Sequence, residues 1–77
     1  MVHAFIMVET GVGESENLLA DVHAIGKVTE AHVVAGDYDI IAEVDAPEVY
    51  DVLQISSTGI QSLDGVLDTR TDIAMDD

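Results

Sequence analysis

The chain contains no cysteine and no tryptophan, and the missing thiol excludes several kinds of chemistry. Disulfide bonds, thiolate catalysis and cysteine-ligated zinc or iron–sulfur sites all require that side chain. A domain of 77 residues buries only about 60% of the surface that its unfolded chain exposes, so it is marginally stable on its own. We therefore expect residues 1–77 to form one domain that is stabilised by packing and by association with other subunits.

Positive charge is almost absent, because Lys27 and Arg70 stand against 16 acidic residues and the net charge is −14. Hydrophobic residues nevertheless make up 48% of the chain, which is more than a disordered acidic segment carries. The composition therefore indicates a folded domain with an acidic surface. Such a surface repels phosphate groups, so we expect no direct binding of nucleic acid or of anionic membranes.

Repulsion among surface carboxylates opposes a compact state in ordinary salt, and screening at about 1 M salt removes that penalty. The acidic composition is therefore typical of a halophilic protein. The first residues lack the basic region and the cleavage site of a signal peptide, and no apolar run approaches the roughly 20 residues of a membrane span. We expect the protein in a salt-rich cytoplasm.

The first half of the chain changes from a strand pattern to a helix pattern. Residues 2–9 alternate as a strand with largely apolar side chains on both faces, which is typical of a central strand. After the glycine-rich segment 10–13, a helix is predicted to start at Glu14 and to end at Gly26. Its apolar residues recur at helical spacing and are Leu18, Val22 and Ile25.

Two further strands are predicted over residues 28–35 and 38–45. Only Gly36 and Asp37 separate them, so a two-residue hairpin is expected.

A second helix is expected to begin at Asp45, an N-cap with Glu48 as its capping-box partner and Pro47 in the first turn, and to reach about Leu63. The sequence SSTG at 56–59 interrupts it with a glycine that costs about 1 kcal/mol relative to alanine. The predicted apolar stripe of this helix is Val49, Val52, Leu53, Ile60 and Leu63.

A last strand is predicted over residues 66–75, after the turn Asp64-Gly65. The order β-α-β-β-α-β is that of an α+β, ferredoxin-like fold, a four-stranded antiparallel sheet with two helices on one face. Either Phe5 or Ile6 must then point to the open face, since strand side chains alternate. An apolar patch there predicts a symmetric dimer in which two subunits pack their open sheet faces together.

Two stretches carry a family resemblance: VTEAHVVAGDYDIIAEVDA at residues 28–46 and IQSLDGVLDTRTDIAM at 60–75. They contain the patterns V-x-G-x-Y-D at 34–39 and L-x-G-V-x-x-T-x-T at 63–71. The sequence closely resembles the effector-binding (RAM) domain of the Lrp/AsnC family, from Phe5 to Met75. The resemblance implies a module that senses small molecules, commonly amino acids, and whose homodimers assemble into rings such as octamers or decamers.

In the family, ligands are generally held where dimers meet, near the glycine-containing hairpin. Carried onto this chain, the resemblance implies a ligand site at Gly36, Asp37, Tyr38, Asp39, Ser57, Thr58 and Thr71. The exposed amides of the turn suit a carboxylate, and Asp37 or Asp39 suits an ammonium group. The alternative is that Gly-Asp is ordinary turn chemistry, Tyr38 an ordinary strand aromatic, and SSTG a bend or a frayed end caused by side chains that compete for the backbone.

Family members usually carry a DNA-binding helix-turn-helix, whereas here Met1 is followed directly by the first strand, so a stand-alone sensing domain is expected. A full-length Lrp/AsnC regulator is its expected partner. Two alternatives remain open: a purely structural subunit that forms hetero-oligomers with such a regulator, and a small dimeric α/β-barrel enzyme.

No catalytic triad, phosphate-binding loop or cofactor fingerprint occurs in the sequence, so we expect no enzyme activity and no cofactor. His3, His23 and His32 lie in different predicted elements without the close spacing of metal ligands, and no metal site is expected. For Arg70 we expect an ion pair with a carboxylate of a neighbouring strand, with anion binding as the alternative.

The fold is predicted to depend on salt. Dilution from molar KCl to about 50 mM should lower the free energy of unfolding, because the carboxylates then repel one another over a longer screening distance. Denaturation curves at the two salt concentrations measure this. Stability that is unchanged or higher after dilution would contradict the halophilic interpretation.

Overall fold

The computed structural model of the chain describes residues 1–76 and confirms the order β-α-β-β-α-β, with one π-helical segment after the second helix. The elements are β1 (Val2–Thr10), α1 (Ser15–His23), β2 (Val28–Val33), β3 (Ile40–Ala46), α2 (Val49–Gln54), the π-helix (Ile55–Ile60) and β4 (Val66–Ile73). The strands form one antiparallel sheet in the order β2-β3-β1-β4. None of the helices in residues 1–76 is long and apolar enough to cross a membrane.

The core lies between the helices and one face of the central strands β1 and β3. Ala4, Ile6 and Val8 of β1 pair with Val44, Ala42 and Ile40 of β3, and all six side chains are fully buried. In two of these pairs an alanine faces a larger side chain, Val44 or Ile6. The helical segments complete the core with Leu18, Val22, Val52, Ile55 and Ile60. Burial of each large aliphatic side chain contributes about 1.5–3 kcal/mol.

The predicted start of the second helix is wrong. Asp45 belongs to β3, where it pairs with His3, and β3 continues to Ala46. Pro47 favours an extended backbone in the residue before it, so the strand continues up to the proline. Glu48 is the N-cap, and its backbone N–H donates to the Asp51 carboxylate at 3.1 Å in a capping box.

The two-residue hairpin at Gly36 and Asp37 is also wrong. Strand pairing ends at Val33 and Ile40, which leaves the six residues 34–39 as the connection, here called the β2–β3 loop. A two-residue hairpin turn of the favoured types needs positive φ at one or both central residues. Within residues 1–76, positive φ occurs at Lys27, Gly13 and Gly65 alone.

The interruption at SSTG is a π-helix, and the buried stripe differs from the predicted one. Val52, Ile55 and Ile60 are buried, whereas Val49 and Leu53 of the predicted stripe are about half exposed. The hydroxyl of Ser57 donates to the Leu53 carbonyl at 2.9 Å, and such bonding competes with the regular helix. The bend interpretation is thus supported over fraying.

The glycine of SSTG lies close to the turn that follows α1. A Cβ at Gly59 would lie 3.4 Å from Cδ1 of Ile25, which packs against the core. This is ordinary van der Waals contact, so packing does not require glycine at position 59.

Besides Gly13, two residues at chain reversals have a left-handed backbone. Lys27, not Gly26, has positive φ (76°) after α1. Gly65 has φ of 98° before β4, and a Cβ there would lie 3.2 Å from Cδ1 of the buried Leu18. The left-handed backbone therefore favours glycine at 65, and the Leu18 side chain would have to shift slightly to admit a Cβ there.

We expect Gly65→Ala to lower the free energy of unfolding by at least about 1 kcal/mol, since a left-handed conformation costs a non-glycine residue about 1–2 kcal/mol. Gly36→Ala is the matched control, because Gly36 lacks positive φ and a Cβ there meets no atom within 4 Å. Chemical denaturation in molar KCl measures both variants. Equal losses would show that position 65 has no special conformational requirement.

Candidate functional site

The β2–β3 loop lies at the end of the sheet where β1 finishes. The Val34 amide donates to the Asp39 carbonyl at 2.8 Å, and the Asp39 amide donates to the Val8 carbonyl at 2.9 Å. Between these anchors Gly36 and Asp37 are exposed, and Tyr38 is half-buried. The loop therefore presents free backbone and one carboxylate to solvent while both of its ends are fixed.

Asp39 fixes the loop to β1 through its side chain. Its carboxylate accepts a hydrogen bond from the Thr10 backbone N–H at 2.9 Å, and Thr10 is only 8% exposed. A carboxylate on a backbone N–H is a strong, charge-assisted bond. Asp39 thus has a structural partner within its own chain, which leaves Asp37 as the loop carboxylate that faces solvent.

The other predicted ligand residues lie on the π-helix that follows α2 and on β4. Ser57 and Thr58 are exposed on the π-helix, and their hydroxyls bond to Leu53 and Gln54 of the preceding turn. Thr71 is half-buried and pairs with Ile6, so it shares the helix-covered side of the sheet. Among residues 1–76 no hydrogen bond connects the β2–β3 loop with these three residues, so a single subunit does not join the predicted set through such contacts.

A cluster of hydroxyl groups beside Ser57, Thr58 and Thr71 was not predicted from the sequence. Thr69 of β4 accepts a hydrogen bond from the Gln61 amide at 2.6 Å, and its hydroxyl lies 3.2 Å from that of Ser56. Ser56 is 6% exposed, whereas Ser57 points outward. The helical spacing of residues 52, 55, 56, 59 and 60 could have indicated this cluster, because it places Ser56 on the buried stripe.

The second distinctive surface is the face of the sheet that the helices leave uncovered, here called the open sheet face. Phe5 points to it and Ile6 to the core, so the alternation expected for β1 is confirmed. Cross-strand register places three apolar side chains there among six carboxylates, one arginine and two histidines. These residues are His3, Phe5, Met7, Glu9, Glu30, His32, Ile41, Glu43, Asp45, Asp68, Arg70 and Asp72.

His3 lies between two carboxylates on the open sheet face. Its Nδ1 is 2.6 Å from Asp45 Oδ1, and its Nε2 is 3.1 Å from Glu43 Oε1. The imidazole also meets the Phe5 ring edge-on, with ring centroids 5.1 Å apart. The side chain of His3 remains 35% exposed. Within residues 1–76 no group of three or more histidine and acidic side chains has the arrangement of a metal site.

The two neighbouring carboxylates shift the pKa of His3. The hydrogen bond with Asp45 raises the pKa of His3 above its ordinary value of 6.5; partial burial opposes this rise, and Glu43 adds to it. Each carboxylate favours the protonated ring because opposite charges attract at short range. The open sheet face therefore carries a histidine whose pKa lies above its ordinary value.

Arg70 pairs with Asp72, at 3.3 Å from Nε to Oδ1, on its own strand. The expected partner on a neighbouring strand was therefore wrong. Both side chains are largely exposed, so this pair contributes little to stability.

Two surface clefts lie away from the predicted ligand residues. A cleft of about 560 Å³ borders the open sheet face and is lined by Met1, His3, Phe5, Asp45, Ala74 and Asp76. A groove of about 410 Å³ runs between α1 and β2. Neither contains Gly36, Asp37 or Thr71.

Comparison with known proteins gives the same family from sequence and from structure. The family model described as the Lrp/AsnC ligand binding domain matches residues 3–77. The leucine-responsive regulatory protein of Haemophilus influenzae is 29% identical over 62 residues, which cover 80% of this chain and 37% of that protein. The chain thus spans well under half the length of this curated relative.

Solved structures agree along nearly the whole length of the chain. The crystal structure of TTHA0845 from Thermus thermophilus is 29% identical, has a TM-score of 0.93, and matches 97% of this chain and 94% of that one. The structure of AsnC from E. coli is 25% identical with a TM-score of 0.89, and matches 99% of this chain and 52% of that one. The chain belongs to the Lrp/AsnC family and is its ligand-binding domain.

Proposed function

We propose that the protein is an oligomeric sensor module that takes up a small effector, an amino acid, and conveys its presence to a transcription regulator. The observation that carries this proposal is the match of residues 3–77 to the Lrp/AsnC ligand binding domain. The leucine-responsive name of the Haemophilus influenzae relative supports an amino acid as the effector class. The partner is a full-length regulator of the same family.

The geometry supports an effector site that two or more subunits build together. The β2–β3 loop offers exposed amides around Gly36 and the free carboxylate of Asp37, which suit the two charged ends of a zwitterion. Ser57, Thr58 and Thr71 have no hydrogen bond to this loop among residues 1–76. A neighbouring subunit would bring such groups against the loop of the first, and the site would then form only in the assembly.

Assembly begins with a symmetric dimer through the open sheet face. Phe5, Met7 and Ile41 form its apolar centre, and all three are partly exposed in the single chain. Such a face adds the buried area that a short chain lacks. Higher assemblies, octamers or decamers, are then built from dimers.

The protein does not bind DNA itself in this proposal. A net charge of −14 opposes phosphate binding, because counterion release requires lysine and arginine at the contact. Regulation therefore passes through protein contacts.

A second function is favoured by one observation. The carboxylate of Asp39 is already bonded to the Thr10 backbone, so one of the acidic groups expected to bind effector has a structural role. A purely structural subunit that forms hetero-oligomers with a related regulator is consistent with this. Nothing comparable favours the dimeric α/β-barrel enzyme, since none of the three histidines in the described residues is fully buried.

Effector binding is predicted to raise thermal stability. A ligand at one hundred times its dissociation constant adds about 2.7 kcal/mol to the free energy of unfolding, so a thermal-shift screen of the proteinogenic amino acids in molar KCl should reveal the effector. Absence of a shift with every amino acid would contradict the sensor proposal. Recovery of a related regulator in a pull-down, with no small molecule in native mass spectra, would then support the structural subunit.

Asp37→Asn tests the location of the effector site. Loss of the loop carboxylate should weaken effector binding about tenfold, or about 1.4 kcal/mol, because the ligand ammonium loses its charged partner. Asp21→Asn is the matched control, since Asp21 is an exposed acid on α1 and the charge change is the same. Titration calorimetry measures both variants, and equal affinities would place the site elsewhere.

The dimer face is tested with Phe5→Ala. Truncation of a central aromatic at an interface should weaken dimerisation at least about tenfold, as measured by sedimentation equilibrium in molar KCl. Val12→Ala is the control, because Val12 is fully exposed in the connection between β1 and α1. A dimer unaffected by Phe5→Ala would use another surface.

A further inference from the structure

The contacts of His3 fit only one protonation state of its ring. Both ring nitrogens lie within hydrogen-bond distance of a carboxylate oxygen, at 2.6 Å for Asp45 and 3.1 Å for Glu43. Ionised carboxylates accept hydrogen bonds but donate none, and a neutral imidazole has one N–H. The neutral ring would therefore hold a lone pair against one of the two carboxylates, whereas the imidazolium donates to both.

The groups around His3 are acidic on each neighbouring strand. Asp45 and Glu43 belong to β3, and Glu30 of β2 pairs with Glu43. On the β4 side, Asp76 lines the same cleft. Among the titratable side chains that line this cleft in the described residues, loss of the proton from His3 therefore leaves carboxylates alone.

Arg70, the arginine of the open sheet face, is already paired with Asp72. Asp72 of β4 pairs with Phe5 across the strands, and its carboxylate is engaged by Arg70. Within the described residues, the remaining cation, Lys27, lies in the turn after α1 and not on the open sheet face. His32 also lies on this face, 3.1 Å from Glu30 of its own strand, whereas His3 lies between two carboxylates of β3 and beside Phe5. His3 is thus the histidine whose charge acts next to the apolar centre.

Two-fold symmetry makes this charge decisive for association. In an isologous dimer the same surface patch is contributed by both subunits, so two faces with six carboxylates each are brought together. Like charges brought close across an interface oppose association. Each protonated His3 removes one unit of negative charge, and the dimer contains two copies.

We propose that dimerisation through the open sheet face is gated by protons: two copies of the chain associate when His3 is an imidazolium and separate when it loses its proton. This inference rests on the proposed dimer and adds its regulation. Phe5, which contacts the His3 ring edge-on, carries the apolar part of the interface. The histidine therefore sets the charge beside the apolar centre.

The direction of the pH dependence follows from the acidic neighbours. A second acidic face stabilises the imidazolium further, so the dimer binds more protons than two separate subunits. Association is then strongest below the ordinary histidine value of 6.5 and weakens as pH rises through the pKa of His3 in the dimer. In each subunit the same contacts stabilise the fold below pH 6.5 and lose that effect as pH rises through the raised pKa.

Sedimentation equilibrium at constant molar KCl tests the gate at about pH 6 and about pH 8.5. The dimer dissociation constant of the wild-type chain should rise at least about tenfold between them. His3→Gln keeps a polar side chain but cannot be protonated, so its dimer should be weak at both pH values, with less than about a twofold change. Circular dichroism confirms that the variant is folded.

His23→Gln is the matched control, because His23 is an exposed histidine at the end of α1, on the helix side of the sheet. This variant should retain the full pH dependence of the dimer dissociation constant. The amino terminus at Met1 is present in every variant, so it does not distinguish them. A pH dependence that survives in His3→Gln, or that is absent from the wild type, overturns the gate.

Phe5→Ala separates failure of the gate from failure of the interface. A dimer that Phe5→Ala weakens but that responds to pH equally in wild type and His3→Gln refutes the gate alone. A dimer that Phe5→Ala leaves intact refutes the interface, and the gate with it.

Discussion

The pairing of β1 with β3 is the constraint on which the other features depend. Ala4, Ile6 and Val8 must meet the helices because they pair with the buried residues of β3. Side chains alternate along a strand, so burial of Ile6 directs Phe5 to the opposite face. The same alternation places His3 beside Asp45. The composition of the open sheet face is therefore a consequence of how the core is built.

A chain this acidic can place its carboxylates at little energetic cost on surfaces that stay in solvent, and most of its acidic residues lie on such surfaces. The open sheet face is different, because it combines an apolar centre with carboxylates that would approach their own copies in the proposed symmetric dimer. Salt screens this repulsion, and a protonated histidine neutralises part of it locally. High salt and low pH thus act on the same energetic term, although salt acts on all exposed carboxylates and the proton acts at one position.

The sequence predicted the strands, the helices and the order of elements, because these depend on periodic apolar positions such as Ile6, Val22 and Ile40. It did not predict features that depend on contacts distant in the chain. Asp39 lies in the loop and not in β3, and it binds Thr10, 29 residues away; no local pattern reports that bond. Asp45 looked like an N-cap from its spacing to Glu48, but pairing with β1 retains it in the strand.

The candidate effector site was harder to predict than the fold, because the residues implied by the resemblance are not brought together by hydrogen bonds within residues 1–76 of one chain. The β2–β3 loop is fixed at both ends by β1 and β3, yet its central residues face solvent and contact no other predicted ligand residue by hydrogen bonding within residues 1–76. Since an effector would bind where dimers meet, its apparent affinity depends on how many subunits are assembled. A proton-gated dimer would then make effector affinity depend on pH even though His3 lies on a different face from the loop, because acid would increase the fraction of chains that can complete the site.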